Sequence, residues 1–270
     1  MKFKINSKKA MIFEVLLLIG MVIVLTFTLV NLENKKEALT NEGFIGGKHF
    51  DIISKYYEAE NINLYIEQSA KLASKKSYYE LTKKGGFDIE KCSAYKKFPI
   101  WQNKIIECYP DYKNNYNEYL NLNLNYYLSN YPGDNLKHLK DSFEFSIINN
   151  QLISYSLKEL EFEIKNKSNQ PIGVYSIKPG FNINLDYDFK NFKETIEDSK
   201  YLFDLCNSSK IKDIKKCAEN NTKLDKSNLI IKQEQEYLLF NYNTNKKFPI
   251  IENNKLVNKD IIIYYALKFS

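Results

Sequence analysis

The run Met11–Val30 constrains this chain more than any other feature. It holds twenty residues, almost all apolar, and about twenty is what a helix needs to cross a hydrocarbon core. The approach to it, residues 7–20, reads SKKAMIFEVLLLIG. A cleaved secretory signal has a shorter hydrophobic region, ~7–15 residues, with a small-x-small site behind it. Asn31, Leu32, Glu33, Asn34 and Lys35 offer no such site. Glu14 costs roughly 2.5–3.5 kcal/mol at mid-membrane, but it sits one turn inside the end, and Leu16 to Ile19 with Val22 to Leu25 outweigh it. The reading is a retained transmembrane helix over residues 10–31.

Orientation follows from charge. Lys2, Lys4, Lys8 and Lys9 precede the helix without an acid, whereas Glu33, Lys35, Lys36 and Glu37 balance after it. The positive-inside rule places the tip, 1–9, in the cytoplasm and residues 32–270 outside. The expected localisation is the cell membrane, single-pass, with the bilayer as partner through residues 10–31 and an extracytoplasmic C-terminal domain.

The chain carries a formal charge of +6. Setting aside the four lysines of the tip and Glu14 leaves +3 for the remainder, mixed residue by residue with acids, which argues against nucleic acid as a partner. There is no arginine, so the planar fork that grips phosphate or carboxylate in two places is missing. An AT-rich coding bias accounts for much of the Lys, Asn, Ile and Tyr.

All four cysteines fall after the apolar run, as local pairs with fifteen and ten residues between partners. Four cysteines permit three connectivities. In an oxidising compartment the local pairing, Cys92–Cys108 and Cys206–Cys217, is expected. Zinc is the competing reading, but CxxC spacing is absent and both histidines, His49 and His138, lie far from either pair. Three sequons, at Asn166, Asn207 and Asn220, offer glycosylation sites.

After the apolar run, Gly43, Gly46 and Gly47 suggest a linker over 32–47. Residues 48–86 then read as one long helix with its Gly85-Gly86 stop. Ile62, Ile66, Ala70 and Ala73 recur at helical spacing, and Ser69, Ala70 and Ala73 form a small-residue stripe that suits either internal packing or a subunit contact. Residues 87–110 read as a cysteine-held loop around Trp101. A second helix opens at Pro110-Asp111 and closes before Pro132. From Phe143 the pattern alternates, with a hairpin signal at Asn149-Asn150. Strands are expected at 160–164, 173–177 and 181–185, the last two joined by a Pro179-Gly180 turn. A helix over 189–205 and strands at 229–232, 236–242 and 261–269 complete the chain. KKFPI occurs at 96–100 and 246–250, read as shared local geometry rather than a duplication, since Pro makes the preceding Phe extended. The fold class is α+β: an N-terminal transmembrane helix, a long extracytoplasmic helix, and an antiparallel-sheet domain over 87–270 with segregated helices.

No nucleophile elbow, phosphate loop, zinc-protease motif or dinucleotide fingerprint occurs. Asp186, Asp188 and the acids from Glu194 to Asp198 are the best carboxylate candidates. Asp188 reads as a helix cap, and Glu194, Glu197 and Asp198 as a solvated face. His49 and His138 read as surface histidines. No catalytic residue, cofactor or metal ligand is assigned.

Two resemblances carry further expectations. Lys9-Ala10-Met11-Ile12 ahead of an apolar helix resembles the class III signal of archaeal type IV pilin-like proteins. In that family a peptidase cuts after the small residue, and the apolar segment becomes the subunit's packing helix. Ala10 stands where Gly is commoner, and Glu14 would be fourth after the cut where pilins favour the fifth. YIEQSAKLASKKSYYELTKKGGF (65–87), ECYPDY (107–112) and YDFKNFKETIEDSKYLFDLC (187–206) resemble uncharacterised single-pass surface proteins of small-genome archaea, which implies a membrane-tethered exported domain without known activity. The expected function is a non-enzymatic, membrane-anchored surface protein for interaction or assembly, with protein partners or self-assembly. The alternatives are a pilin-like subunit, processed at Ala10 and Met11 and assembling with Glu14, and an extracytoplasmic enzyme or enzyme accessory.

Overall fold

The computed structural model describes residues 20–31, 45–87, 92–132, 136–165, 170–207, 213–252 and 255–269. They form a mixed α+β chain of two compact units, residues 1–58 with 163–175 and residues 59–162 with 176–270.

The transmembrane expectation needs correction. Among the described residues no helix is long and apolar enough to cross a membrane. The described residues 20–31 are helical, and this helix is called α1. Ala10, Met11, Glu14 and the leading lysines lie outside the described residues. Single-pass anchoring, and the placement of tip and domain on opposite sides of a membrane, are therefore not supported.

Helix α2, Ile45–Lys83, takes Gly46 and Gly47 into its first turn rather than leaving them in a linker. In the second unit its buried face runs through Ala59, Ile62, Ile66, Ala70, Ala73, Ser77 and Leu81, each three or four residues from the last, so they fall on one stripe. Its end is chemically explicit. The Gly86 N–H donates to Leu81 O (2.7 Å) and the Gly85 N–H to Thr82 O (3.0 Å), the two bonds of a Schellman stop. Both glycines have positive φ, +60° and +89°.

Helix α3, Tyr112–Ser129, starts where the Asp111 carboxylate accepts from the Asn114 N–H at 3.3 Å. It lies against α2: Asn123 Nδ2 donates to Ser77 Oγ (3.1 Å) and to Glu80 Oε2 (2.9 Å). The Tyr119 hydroxyl donates to Phe87 O (3.0 Å), and Asn115 Nδ2 to Gly86 O (2.7 Å). Such bonds satisfy polar groups that burial would otherwise make costly.

Strands β1 (Ala94–Tyr95), β2 (Phe98–Gln102), β8 (Leu229–Glu234), β9 (Tyr237–Glu252) and β10 (Lys255–Lys268) build a five-stranded sheet in the order β1-β2-β10-β9-β8. It is not purely antiparallel, because β2 runs parallel to β10. Strands so far apart in sequence need no hairpin, and the rest of the domain serves as their crossover. The residues read as a cysteine-held loop thus supply an inner strand. Trp101 on β2 is buried, stacks on Tyr265 (4.2 Å), and donates its indole N–H to Gly85 O (3.0 Å). Tyr265 stacks in turn on Phe240 at 4.5 Å.

Strands β3 (Phe143–Ile148) and β4 (Gln151–Ser156) form the hairpin expected at Asn149-Asn150, with both asparagines at positive φ, as a tight I′ turn requires. Strand β5 (Leu160–Lys165) pairs with β6 (Pro171–Ile177), while β7 (Gly180–Asn184) joins β4. Pro179-Gly180 is therefore a change of sheet rather than a hairpin turn. A Cβ on Gly180 would come within 2.8 Å of Ser154 O, which ties that glycine to the close approach. Helices α4 (Lys190–Cys206) and α5 (Ile214–Asn221) follow β7. In the first unit the Tyr56 ring of α2 meets Tyr175 edge-on at 6.4 Å.

Candidate functional site

Both disulfides close locally. Cys92 is bonded to Cys108 and Cys206 to Cys217, with Cα–Cα separations of 6.2 and 5.9 Å. The first holds the β1–β2 segment and the second joins the end of α4 to α5. Among the described residues no group of three metal-ligating side chains converges.

The carboxylate candidates separate. Asp186 pairs with Lys75 at 2.7 Å. Asp188 accepts from the Lys190 N–H at 3.0 Å, at the start of α4. Glu194 and Glu197 pair along the helix with Lys190 and Lys193 at 3.4 and 3.8 Å. Asp198, read as solvated, is instead buried at 2% exposure. It accepts from Thr222 Oγ (2.7 Å) and the Lys223 N–H (2.6 Å), pinning the segment after α5. Asp198 follows the exposed Glu197 directly, and the rotation of about 100° per residue in a helix carries it around to the protein side.

His138 lies exposed, its Nε2 3.1 Å from Glu159 O, and the His49 side chain lies outside the described residues, as does Asn166. Asn207 is the half-buried residue that ends α4. Asn220 is exposed, but Thr222 of its sequon is buried with its hydroxyl on Asp198, so that triplet is closed once the chain has folded. Ser69, Ala70 and Ala73 are buried in the second unit, so this stripe serves internal packing.

Two features stand out, one on the apolar run and one that no motif announced. The first lies in the first unit. On α1, Met21, Val22, Ile23, Val24, Leu25, Phe27, Leu29 and Val30 are all 53–69% exposed. No face of this helix is polar enough to be its solvent face. Together these side chains leave on the order of 900 Å² of apolar surface in water, beyond the few hundred that a monomer usually tolerates. The same unit exposes Phe50, Ile53 and Tyr57 at helical spacing on α2, and Ile172 and Val174 on β6.

The second is a cavity of about 620 Å³ within the second unit. The end of α2 contributes Tyr79, Glu80, Lys83 and Lys84, with Phe87 beyond it. Strands β1 and β2 and their turn contribute Ala94, Lys96, Lys97 and Pro99. Tyr119 comes from α3, and Lys259, Asp260, Ile262 and Tyr264 from β10. Among the described residues, the lining therefore includes five lysines and two carboxylates. Lys96 is ion-paired with Glu234, and Lys259 with Glu252 at 2.8 Å. These hydrogen-bonded carboxylates raise both lysine pKa values. Lys83 lies over Tyr79 (6.0 Å to the ring centroid), Lys84 over Tyr119 (5.3 Å) and Lys97 over Tyr264 (5.1 Å). Burial raises the Tyr264 pKa, so its hydroxyl stays protonated at neutral pH.

No family model, curated protein or solved structure matches this chain.

Proposed function

We propose that this chain is a self-associating interaction protein, not an enzyme, and that copies assemble through residues 20–31. The observation that carries this reading is a helix that is apolar on every face and exposed on every face. Such a helix is stable only when surrounded, and a single flat partner would leave half of it wet. Burying on the order of 900 Å² at ~25 cal/mol per Å² returns about 20 kcal/mol as an upper bound. Association costs roughly 4–15 kcal/mol, so the balance favours assembly. Neighbouring copies of the same helix supply apolar surface on several sides at once. The likeness of residues 9–12 to pilin-like signals supports the same reading.

Sedimentation velocity on the full chain tests it. The parent is expected to form oligomers at micromolar concentration, and Leu25→Glu with Leu29→Glu to release monomers with both disulfides intact. A monomeric parent, or oligomers indifferent to the two charges, would refute the proposal.

A further inference from the structure

Independently of self-association, we propose that the cavity between the end of α2 and strands β1, β2 and β10 binds a small ligand carrying several negative charges. Among the described residues its lining includes five lysines from three places in the fold: Lys83 and Lys84 at the end of α2, Lys96 and Lys97 from the β1–β2 turn, and Lys259 from β10, of which Lys96 and Lys259 also pair with Glu234 and Glu252. They bracket one volume from different sides. The two acids among the described lining residues already have other partners. Glu80 accepts from Asn123 Nδ2 at 2.9 Å, and Asp260 pairs with Lys247 at 3.3 Å. Aromatic rings beneath Lys83 and Lys97 steady those ammonium groups without neutralising them. Among the described residues neither is paired with a carboxylate.

The chemistry of lysine narrows the ligand. Each ammonium is a compact charge with three rotatable donors, suited to separate anionic groups rather than to one planar two-point grip. Tyr79, Phe87, Tyr119 and Tyr264 give the wall apolar area on which the body of a ligand can rest. The volume is that of an ordinary small-molecule site. The Schellman stop at Gly85-Gly86 and the Cys92–Cys108 bond hold two sides of the cavity in place before any ligand arrives, which lowers the ordering cost of binding. Carboxylate, sulfate and phosphate groups share this chemistry.

The test is calorimetric titration of the full chain with inorganic triphosphate, citrate and a sulfated disaccharide, at about 50 mM and about 300 mM salt. At least one probe should bind below about 1 mM and weaken as salt rises. The ranking of the three identifies the anionic group preferred. Lys83→Gln with Lys97→Gln should weaken that probe by about tenfold or more, with Trp101 emission unchanged. Lys200→Gln, outside the cavity, should bind as the parent does. The Leu25→Glu, Leu29→Glu chain should also bind as the parent does, which separates this site from assembly. Failure of all three probes to bind by about 1 mM, or parent-like binding by the double lysine variant, would overturn the proposal.

Discussion

Replacing Gly85 by alanine should destabilise the second unit by several kcal/mol. The residue has φ +60°, a conformation that costs a Cβ-bearing residue roughly 1–2 kcal/mol. An added Cβ would also stand 2.3 Å from Tyr264 O and 2.5 Å from Pro99 Cγ. Comfortable contact is about 3.5 Å, so each overlap is on the order of 1 Å. The Tyr264 oxygen belongs to the backbone of β10, an inner strand, and cannot retreat alone. Overpacking of this kind costs about 1–3 kcal/mol, giving a total of roughly 2–5. The assay is urea unfolding followed by the emission of Trp101, the only tryptophan, whose indole is bonded to Gly85 O. Gly85→Asn divides the two causes, because asparagine tolerates the left-handed backbone better but keeps the Cβ. It should retain most of the steric loss. A cost under about 1 kcal/mol for Gly85→Ala, or full recovery with asparagine, would refute the reasoning.

Asp198→Ala should cost about 3 kcal/mol, since it leaves the Thr222 hydroxyl and the Lys223 N–H without their acceptor. Asp198→Asn should cost less, and equal midpoints for both variants and the parent in the same unfolding assay would contradict this. Alkaline pH should unfold the second unit cooperatively. Burial raises the pKa of Tyr78, Tyr116, Tyr187 and Tyr265 above 10.0. The unfolded chain therefore releases these protons first, and stability is complete below pH 10 and falls above it. Four such groups give a slope of about 5 kcal/mol per pH unit, visible as a late, steep rise in tyrosinate absorbance; a gradual titration with no unfolding step would refute it. Replacing either cysteine pair by serine should lower stability by about 2–4 kcal/mol in the chain-entropy picture, and an unchanged urea midpoint would count against both bonds as structural staples.

Local order was legible because its causes are local. The long helix and its glycine stop, the Asp111 start of α3 and the asparagine hairpin each depend on a few consecutive residues. The disulfides join cysteines 16 and 11 positions apart, where short loops favour the near partner. KKFPI shows where this grammar ends. Both copies direct Phe and Ile inward, but Phe98 begins β2 after a turn and Phe248 sits within β9.

The sequence alone determined that residues 11–30 need burial, where α2 stops, where α3 starts, where the β3–β4 hairpin turns, and which cysteines are close enough to join; α5 and the length of the β9–β10 hairpin were not legible in it. Hydropathy measures the need for burial and not what provides it: it reads the apolar run as a membrane span, whereas among the described residues no helix is long and apolar enough to cross one. Only the tertiary structure decided that β2 lies parallel to β10, that β7 joins β4, and that Asp198 turns inward. The cavity was illegible for the same reason. Lysine is the commonest residue in this chain and tyrosine is abundant, those of the cavity lie between Tyr79 and Tyr264, and sheet register and a helix end, both set by long-range packing, bring them together.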